Sequence, residues 1–266
     1  EIYTLSLHDA LPISVVISAE DGIQLHGWLF DPDCAGAKPH LYAICCHGYS
    51  GQPQDMAKYA HRFARLGFTV LVPALRGHGL SEGRYAGMGW LDRRDLMRWI
   101  SLIIGSDADA RILLQGKSMG AAAVMMTVGE PDLPRNVVAA VEDCGYASVG
   151  QQFIDCARSM FHLPKFLAKP IVTTMGAIAR RRAGYGFQEA SCVEQLKHAT
   201  IPMLFIHGGA DDFVPSRALD ENFDACASID RQKLLIPSAG HSMSASTAPV
   251  VYWKTVTKFV TRVFGL

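Results

Sequence analysis

The sequence predicts an α/β fold in which a mostly parallel sheet of about eight strands carries helices on both faces. Short apolar runs alternate with segments of helical spacing, which is typical of parallel strands joined by crossover helices. Several of these runs are wholly apolar rather than alternating, as expected of strands covered on both faces. The 266 residues are 49% hydrophobic, so the chain can fill the large core that such a sheet requires.

The first two predicted strands, 15–18 and 23–30, are separated by Asp21-Gly22, a sequence typical of a hairpin turn. We therefore expect an antiparallel start to the sheet. Apolar runs predict the remaining strands at 41–46, 68–72, 112–115, 137–141, 203–206 and 233–236. In such sheets the functional site lies at the carboxyl ends of the strands.

The spacing of apolar residues predicts helices over 53–66, 91–104, 121–126, 217–227 and 250–264. Between residues 148 and 192 two further helix-like segments follow one another with no strand between them. We expect this insertion to be a small helical cap over the site, set into a core formed by residues 15–147 and 193–266. The alternative is that its helices are peripheral and bury their own apolar stripe.

The first residues are unlike the rest of the chain. Residues 1–13 resemble the in-frame translation of a short-read sequencing adaptor. We therefore expect residues 1–14 to be a non-native leader on a gene from metagenomic DNA, in which the native N-terminus has been lost or overwritten. The segment has neither the basic start nor the continuous apolar core of a signal peptide.

Charge and cysteine content narrow the range of partners. Lys plus Arg and Asp plus Glu both number 25, and without a long basic stripe we expect neither nucleic acid nor an anionic membrane surface as the main partner. No run of 18 apolar residues predicts a membrane span. The seven cysteines lack the C-x-x-C spacing of metal sites, so we expect free buried thiols, a reducing compartment such as the cytoplasm, and no metal.

The stretch Gly116-Lys117-Ser118-Met119-Gly120 follows a predicted strand and precedes an Ala- and Met-rich helical run. A serine between two glycines in this setting is typical of a nucleophile elbow, a sharp turn that exposes the hydroxyl above the sheet. Because a serine hydroxyl is a poor nucleophile at pH 7, it needs an imidazole base and a carboxylate that orients the base. The candidates for the base and the carboxylate are therefore His and Asp residues that follow other predicted strands.

Ser118, Asp211 and His241 each come just after a predicted strand, and we expect them to form a catalytic triad. Asp212, beside Asp211, and Asp143, after the strand at 137–141, are alternative acids. Structural hydrogen bonding is the expected role of three other histidines, which precede or lie in tight glycine turns: His47, His78 and His207.

Acyl transfer develops negative charge on a carbonyl oxygen, which needs preorganised N–H donors. We expect the amide of Met119, at a helix start, and the amide of Tyr49, in the loop after the third strand, to form this oxyanion hole. The Tyr49 side chain is a candidate substrate contact, as are three phenylalanines, namely Phe153, Phe161 and Phe213.

From about Val15 to Phe264 the chain resembles serine hydrolases of the α/β-hydrolase superfamily, in the bacterial branch related to prolyl-oligopeptidase-like and serine-aminopeptidase-like hydrolases. The matching stretches are His47-Gly48-Tyr49, Arg76-Gly77-His78-Gly79, Gly87-Met88-Gly89-Trp90, the elbow, Glu142-Asp143-Cys144-Gly145-Tyr146, His207-Gly208 through Val214-Pro215, and Gly240-His241. The resemblance implies a serine hydrolase in which Ser, Asp and His occur in this order along the chain. It leaves the substrate open.

We expect a carboxylic-ester hydrolase that forms an acyl-enzyme on small to medium, mainly apolar acyl or aryl esters, with no cofactor. A serine aminopeptidase or acyl-peptide hydrolase is an alternative, although the insertion has no Glu-Glu pair to bind a substrate amine. A feruloyl-type aromatic esterase is another. A binding module that has lost catalysis is a remote alternative, because such proteins commonly lose a triad residue or an elbow glycine.

Overall fold

The computed structural model describes residues 12–31 and 38–266, which form one eight-stranded sheet with helices on both faces. The strands are β1 (Ile13–Ser18), β2 (Gln24–Phe30), β3 (Leu41–Cys46), β4 (Thr69–Pro73), β5 (Arg111–Lys117), β6 (Val137–Asp143), β7 (Met203–Gly208) and β8 (Arg231–Ile236). Their order across the sheet is β1-β2-β4-β3-β5-β6-β7-β8. Strand β2 runs antiparallel to both of its neighbours, and the other pairings are parallel. The predicted α/β fold is confirmed.

Strand β1 begins two residues earlier than the sequence predicts. Ile13 pairs with Leu29 and Ser14 pairs with Trp28, so the last two residues of the expected leader take part in the sheet. Residues 1–11 of that segment lie outside the described residues.

The described helices are α1 (Ala57–Ala64), α2 (Asp92–Ser106), α3 (Met119–Thr127), α4 (Val149–Phe161), α5 (Lys165–Ala183), α6 (Cys192–Leu196), α7 (Arg217–Ala225), α8 (Ser244–Thr247) and α9 (Pro249–Phe264). The helix predicted over 53–66 begins as a 3-10 turn at Pro53–Met56, where Pro lacks the N–H that a first turn leaves unpaired. No helix in the described part of the chain is long and apolar enough to cross a membrane.

The core has two halves, one on each face of the sheet. Alternate residues of β3 point to opposite faces, as the two-residue period of a strand requires. Ala43 and Cys45 pack on the side of α1 and α9, whereas Ile44 and Cys46 pack on the side of α2 and α3. All four side chains are fully buried, which explains why this strand reads as an unbroken apolar run.

The insertion predicted over 148–192 contains α4 and α5 and leaves the sheet between β6 and β7. Its two ends meet, because Ser148 and Ser191 form an antiparallel bridge. Helix α5 packs on α4 and buries only a narrow stripe of small side chains, Ala168, Val172 and Gly176.

The turn between β5 and α3 brings three backbone segments into close contact. A Cβ atom at residue 120 would lie 2.3 Å from the carbonyl oxygen of Cys46 and 2.5 Å from that of His47, and one at residue 116 would lie 2.3 Å from the carbonyl oxygen of Gly120. Only glycine fits at these two positions. The start of α3 can therefore sit directly against the end of β3.

Replacing Gly120 with Ala should lower the free energy of unfolding by about 1–3 kcal/mol, because backbone atoms must move to admit the methyl group. Gly105→Ala is the matched control. Residue 105 is exposed in α2, and a Cβ atom added there would have no neighbouring atom within 4 Å, so this change should stabilise the protein by up to roughly 1 kcal/mol. Urea denaturation of the two variants checks this, and equal stability would contradict the close contact.

Candidate active site

The residues predicted for catalysis come together at the carboxyl edge of the sheet. Ser118 follows β5 directly, Asp211 lies three residues beyond β7, and His241 lies five residues beyond β8. Because these strands are parallel, their loops emerge on the same side. Residues that are far apart in the sequence thus share one edge.

Two short hydrogen bonds join the three side chains. Ser118 Oγ lies 2.8 Å from His241 Nε2, and His241 Nδ1 lies 2.7 Å from Asp211 Oδ2. The Asp211 side chain is fully buried, whereas the His241 side chain is partly exposed. A carboxylate that accepts the Nδ1 proton leaves Nε2 free to take the proton of the Ser118 hydroxyl.

The backbone of Ser118 is strained. Its φ of 55° and ψ of −119° lie in a region that L-residues seldom occupy and that costs about 1–3 kcal/mol. The conformation is held by the hydrogen bond from the Ser118 amide to the carbonyl oxygen of Asp143 (2.8 Å) and by the glycines on either side. In this conformation Oγ hydrogen-bonds to His241.

Asp211 is held as an anion by several donors. Its Oδ1 accepts hydrogen bonds from the amides of Phe213 (3.0 Å) and Val214 (2.8 Å), while Oδ2 faces both His241 and His207. Burial alone would raise the pKa of Asp211, but the hydrogen bonds from His207 and His241 hold that pKa well below its ordinary value. The carboxylate is therefore charged at neutral pH.

The two alternative acids lie elsewhere. Asp212 is exposed, and the imidazole of His241 hydrogen-bonds to the neighbouring Asp211 instead. Asp143 is fully buried and accepts a hydrogen bond from the Tyr59 hydroxyl at 3.4 Å. The structure thus brings Asp211 alone of the three to the imidazole.

The three other histidines make the hydrogen bonds of structural residues. His47 donates from Nδ1 to the carbonyl of Gly48 (2.8 Å) and accepts the Leu75 amide at Nε2 (3.0 Å), and burial lowers its pKa to about 4. His78 accepts the Ser50 amide at Nε2 (3.3 Å). Together they fix the loop after β3.

His207 lies directly behind Asp211. Its Nε2 donates to the carbonyl of Val214 (3.0 Å) and is 3.4 Å from Asp211 Oδ2. Burial alone would lower the pKa of His207, but the hydrogen bond to Asp211 and the carboxyl group of Glu142 raise it above its ordinary value. The sequence marks this histidine only by its glycine turn, and its place beside Asp211 emerges from the fold.

Two backbone amides beside Ser118 point to no partner within the described chain. Those of Met119 and Tyr49 make no hydrogen bond there. The amide of Met119 stands at the start of α3, where the helix dipole favours negative charge. The loop of Tyr49 is adjacent, since a Cβ at residue 48 would lie 3.2 Å from Cβ of Ser118.

A cleft of about 360 Å³ opens over Ser118. Its apolar walls are Tyr49, which is 59% exposed, and Phe213, whose ring centre is 5.0 Å from that of His241. Two opposite charges, Asp55 and Lys117, also line it. No sequence pattern singles out Asp55, because it lies in the first turn of a predicted helix.

The other two predicted substrate contacts are not part of this cleft. Phe153 stacks on Phe187 with ring centres 4.8 Å apart, and Phe161 is exposed at the end of α4. Helix α4 reaches the cleft indirectly, through a hydrogen bond from Gln152 Nε2 to the carbonyl of Phe213 (2.9 Å).

Among the described residues, one group has the composition of a metal site. Ligand atoms of Cys144, Asp211 and His241 lie within 4.8 Å of one another. Burial raises the pKa of the Cys144 thiol far above its ordinary value, which opposes the thiolate that a metal would bind. Asp211 and His241 are also joined by hydrogen bonds to each other and to Ser118.

Comparison with known proteins identifies the relatives of this chain. Residues 37–177 match the model of a protein family described as "Serine aminopeptidase, S33". The uncharacterized protein YqkD of Bacillus subtilis is 26% identical over 218 residues, which are 82% of this chain and 70% of that protein.

Solved structures share the fold. The esterase Pf2001 of Pyrococcus furiosus superposes with a TM-score of 0.77 at 19% identity, over 99% of this chain and 95% of that one. The acylaminoacyl peptidase of Pyrococcus horikoshii superposes with a TM-score of 0.68 at 15% identity, over 95% of this chain and 41% of that one. At these sequence identities the two superpositions show a shared fold only.

The strain at Ser118 predicts an order of stability between two variants at this position. Ser118→Gly should be more stable than Ser118→Ala by about 1 kcal/mol, because glycine adopts this backbone conformation freely, at a cost in chain entropy smaller than the strain. At Ser101, in the middle of α2, the order should reverse. Urea denaturation of the four variants checks the prediction, and the same order at both positions would contradict it.

The buried Glu142 predicts a loss of stability at high pH. Its Oε2 accepts the Gly145 amide (3.0 Å), its Oε1 has no partner among the described residues, and burial raises its pKa from 4.5 to about 8. Between these values the folded protein keeps a proton that the unfolded chain has lost, so the free energy of unfolding falls as pH rises.

Glu142→Gln should remove this loss. The variant should match the parent below about pH 4, where the carboxyl group is mostly protonated in the folded and the unfolded chain alike, and exceed it by a margin that grows toward pH 8. Denaturation curves at several pH values measure the difference, with the exposed Glu194→Gln as control. Parallel pH profiles for Glu142→Gln and the parent would show that this acid is ionised in the folded protein.

Proposed function

The chain belongs to the serine aminopeptidase S33 family of α/β hydrolases, and from this membership and the geometry of its site we propose that it is a carboxylic-ester hydrolase that forms an acyl-enzyme on Ser118. The observation that carries the proposal is the pair of hydrogen bonds, 2.8 Å and 2.7 Å, from Ser118 through His241 to Asp211. It is supported by an open cleft on the side of the nucleophile.

In the proposed reaction Ser118 Oγ attacks the ester carbonyl carbon while His241 Nε2 takes the hydroxyl proton. Asp211 keeps the imidazole in the tautomer that can accept it and stabilises the imidazolium that results. The amides of Met119 and Tyr49 donate to the oxyanion, a contribution worth about 2.7–4 kcal/mol for a single donor in comparable sites.

The tetrahedral intermediate collapses when His241 gives its proton to the alcohol oxygen, which leaves. Water then enters, loses a proton to the same nitrogen and attacks the acyl carbon, and Ser118 leaves with that proton. Each step needs only the three side chains and the two amides, all within the described site. Tyr49 and Phe213 offer apolar surface, which favours small to medium acyl or aryl groups over charged ones.

A second candidate, an aminopeptidase, is favoured by one observation. The Asp55 carboxylate lines the cleft and offers a partner for the free amine of a peptide. Its Oδ2 already accepts the Gln52 amide at 2.9 Å, and the Lys117 ammonium on the same cleft repels an amine. Because the two charges oppose each other, the ester is the better substrate for this cleft.

Hydrolysis of p-nitrophenyl esters from acetate to palmitate tests the proposal. The parent should cleave the shorter esters, and Ser118→Ala and His241→Ala should each reduce kcat by on the order of 10⁴-fold or more. The matched controls Ser106→Ala and His198→Ala, both exposed and remote from the cleft, should keep full activity. Circular dichroism shows whether all four variants are folded.

An aminoacyl p-nitroanilide separates the two candidates. Cleavage of the anilide without ester cleavage, abolished by Ser118→Ala and weakened in KM by Asp55→Asn, would replace the esterase with the aminopeptidase. Ester cleavage that survives in Ser118→Ala would overturn the assignment of the nucleophile.

A further inference from the structure

The helical insertion carries a large apolar surface that nothing in the described chain covers. We define the α4–α5 surface by six exposed side chains: Phe161, Phe166, Leu167, Ile171, Met175 and Ile178. Phe161 is 70% exposed and Phe166 is 75% exposed. Single exposed apolar residues are ordinary, but several on one face of a helix indicate an interaction surface.

The arrangement of these residues follows the helix. Leu167, Ile171, Met175 and Ile178 are spaced by four, four and three residues, so they form one row of about 16 Å along α5. This row is distinct from the buried stripe of Ala168, which begins one residue later and therefore lies about 100° further around the axis. Helix α5 thus has two apolar stripes, and packing on α4 accounts for one of them.

Basic side chains are frequent in the same insertion, and Arg181 and Arg182 follow Ile178 by three and four residues, so they extend the exposed row of α5. Residues 156–188 contain no Asp or Glu but six exposed basic residues, which are Arg158, Lys165, Lys169, Arg180, Arg181 and Arg182. Arg180 pairs with Glu189 at 3.3 Å, and the other five form no ion pair with the described residues. The chain as a whole has equal numbers of acidic and basic residues, so this positive charge is local.

We propose that the α4–α5 surface docks on an anionic lipid bilayer, with its apolar row in the interfacial region and its Lys and Arg side chains on the phosphate groups. An amphipathic helix that combines Phe, Leu and Ile with basic residues binds membranes in this way. The inference concerns attachment and does not require the reaction proposed above.

The same features disfavour the other occupants of such a surface. In a two-fold dimer the surface would face its own copy, and residues 156–188 of that copy offer no Asp or Glu to pair with its basic side chains. Nucleic acid would pair the charges but leave the Phe and Ile side chains in water. A lipid bilayer can bind both the basic and the apolar side chains, because it has phosphate groups above an apolar layer.

Docking would also bring the membrane near the cleft. Helix α4 ends in the proposed surface at Phe161, and its Gln152 is hydrogen-bonded to the loop of Phe213 beside His241. A single short helix therefore connects the two.

Co-sedimentation with lipid vesicles tests the inference. We use Ser118→Ala, so that ester hydrolysis cannot alter the vesicles, with phosphatidylcholine alone or with about three parts in ten of phosphatidylglycerol. Binding should be strong on the mixed vesicles, weak on phosphatidylcholine, and reduced at least tenfold in about 0.5 M NaCl.

Two double variants and two matched controls locate the surface. Phe166→Ser with Ile171→Ser, and Arg181→Gln with Arg182→Gln, should each weaken the partition coefficient about tenfold or more. Ile229→Ser with Val250→Ser, which removes apolar side chains that are 101% and 79% exposed elsewhere, should bind like the parent. Arg65→Gln with Lys258→Gln, also exposed outside the insertion, should do the same.

Failure of the full chain to bind mixed vesicles, or equal binding by all four double variants, would overturn the inference. Sedimentation equilibrium in the absence of lipid provides a second check. A stable dimer that dissociates in Phe166→Ser with Ile171→Ser would show that a second copy covers the surface instead. None of these measurements depends on catalytic activity, so their failure leaves the proposed function untouched.

Discussion

Close backbone contact between the start of α3 and the end of β3 is the constraint on which the rest of the site depends. Without a side chain at residues 116 and 120, the chain can turn within van der Waals distance of Cys46 and His47. That approach brings the loop of Tyr49 and the start of α3 together beside Ser118. The strained backbone of Ser118 is tolerated because hydrogen bonds and packing on every side fix it. The sheet holds these segments rigid, and the two glycines allow α3 to approach β3 closely.

The buried carboxyl groups of Asp211 and Glu142 are the second feature on which the arrangement around Ser118 depends. Asp211 remains ionised because two histidines and two amides surround it, whereas the fully buried Glu142 accepts one backbone amide at its side chain and keeps its proton to about pH 8. Two buried carboxyl groups of the same site thus differ in charge at neutral pH. The number of donors, rather than burial alone, decides which of them can serve the imidazole.

Much of this architecture follows from local sequence patterns. The strands are predictable because the buried ones read as short apolar runs and because Asp21-Gly22 indicates the hairpin of the more exposed β1 with β2. Ser118, Asp211 and His241 stand out because each follows a predicted strand. The prediction of Phe153 and Phe161 as substrate contacts rests only on residue type within the insertion. It fails because the direction in which a helical side chain points depends on tertiary packing, which no short sequence pattern contains. Asp55 and His207 reach the site through long-range contacts for the same reason. The equal numbers of acidic and basic residues in the whole chain predict no anionic surface as partner. A sum over the whole chain does not show that residues 156–188 lack any acidic side chain.

The bridge between Ser148 and Ser191 has an evolutionary consequence. Since the two ends of the insertion are joined to each other, the sheet and the chain of hydrogen bonds from Ser118 to Asp211 have the same boundary whatever lies between those ends. Recombination can exchange this segment for a longer or shorter one with little entropic penalty to the core, because the loop is already closed at its base. Selection can therefore act on this segment while Ser118, Asp211 and His241 stay in place, and divergence among homologues should concentrate inside this bridge.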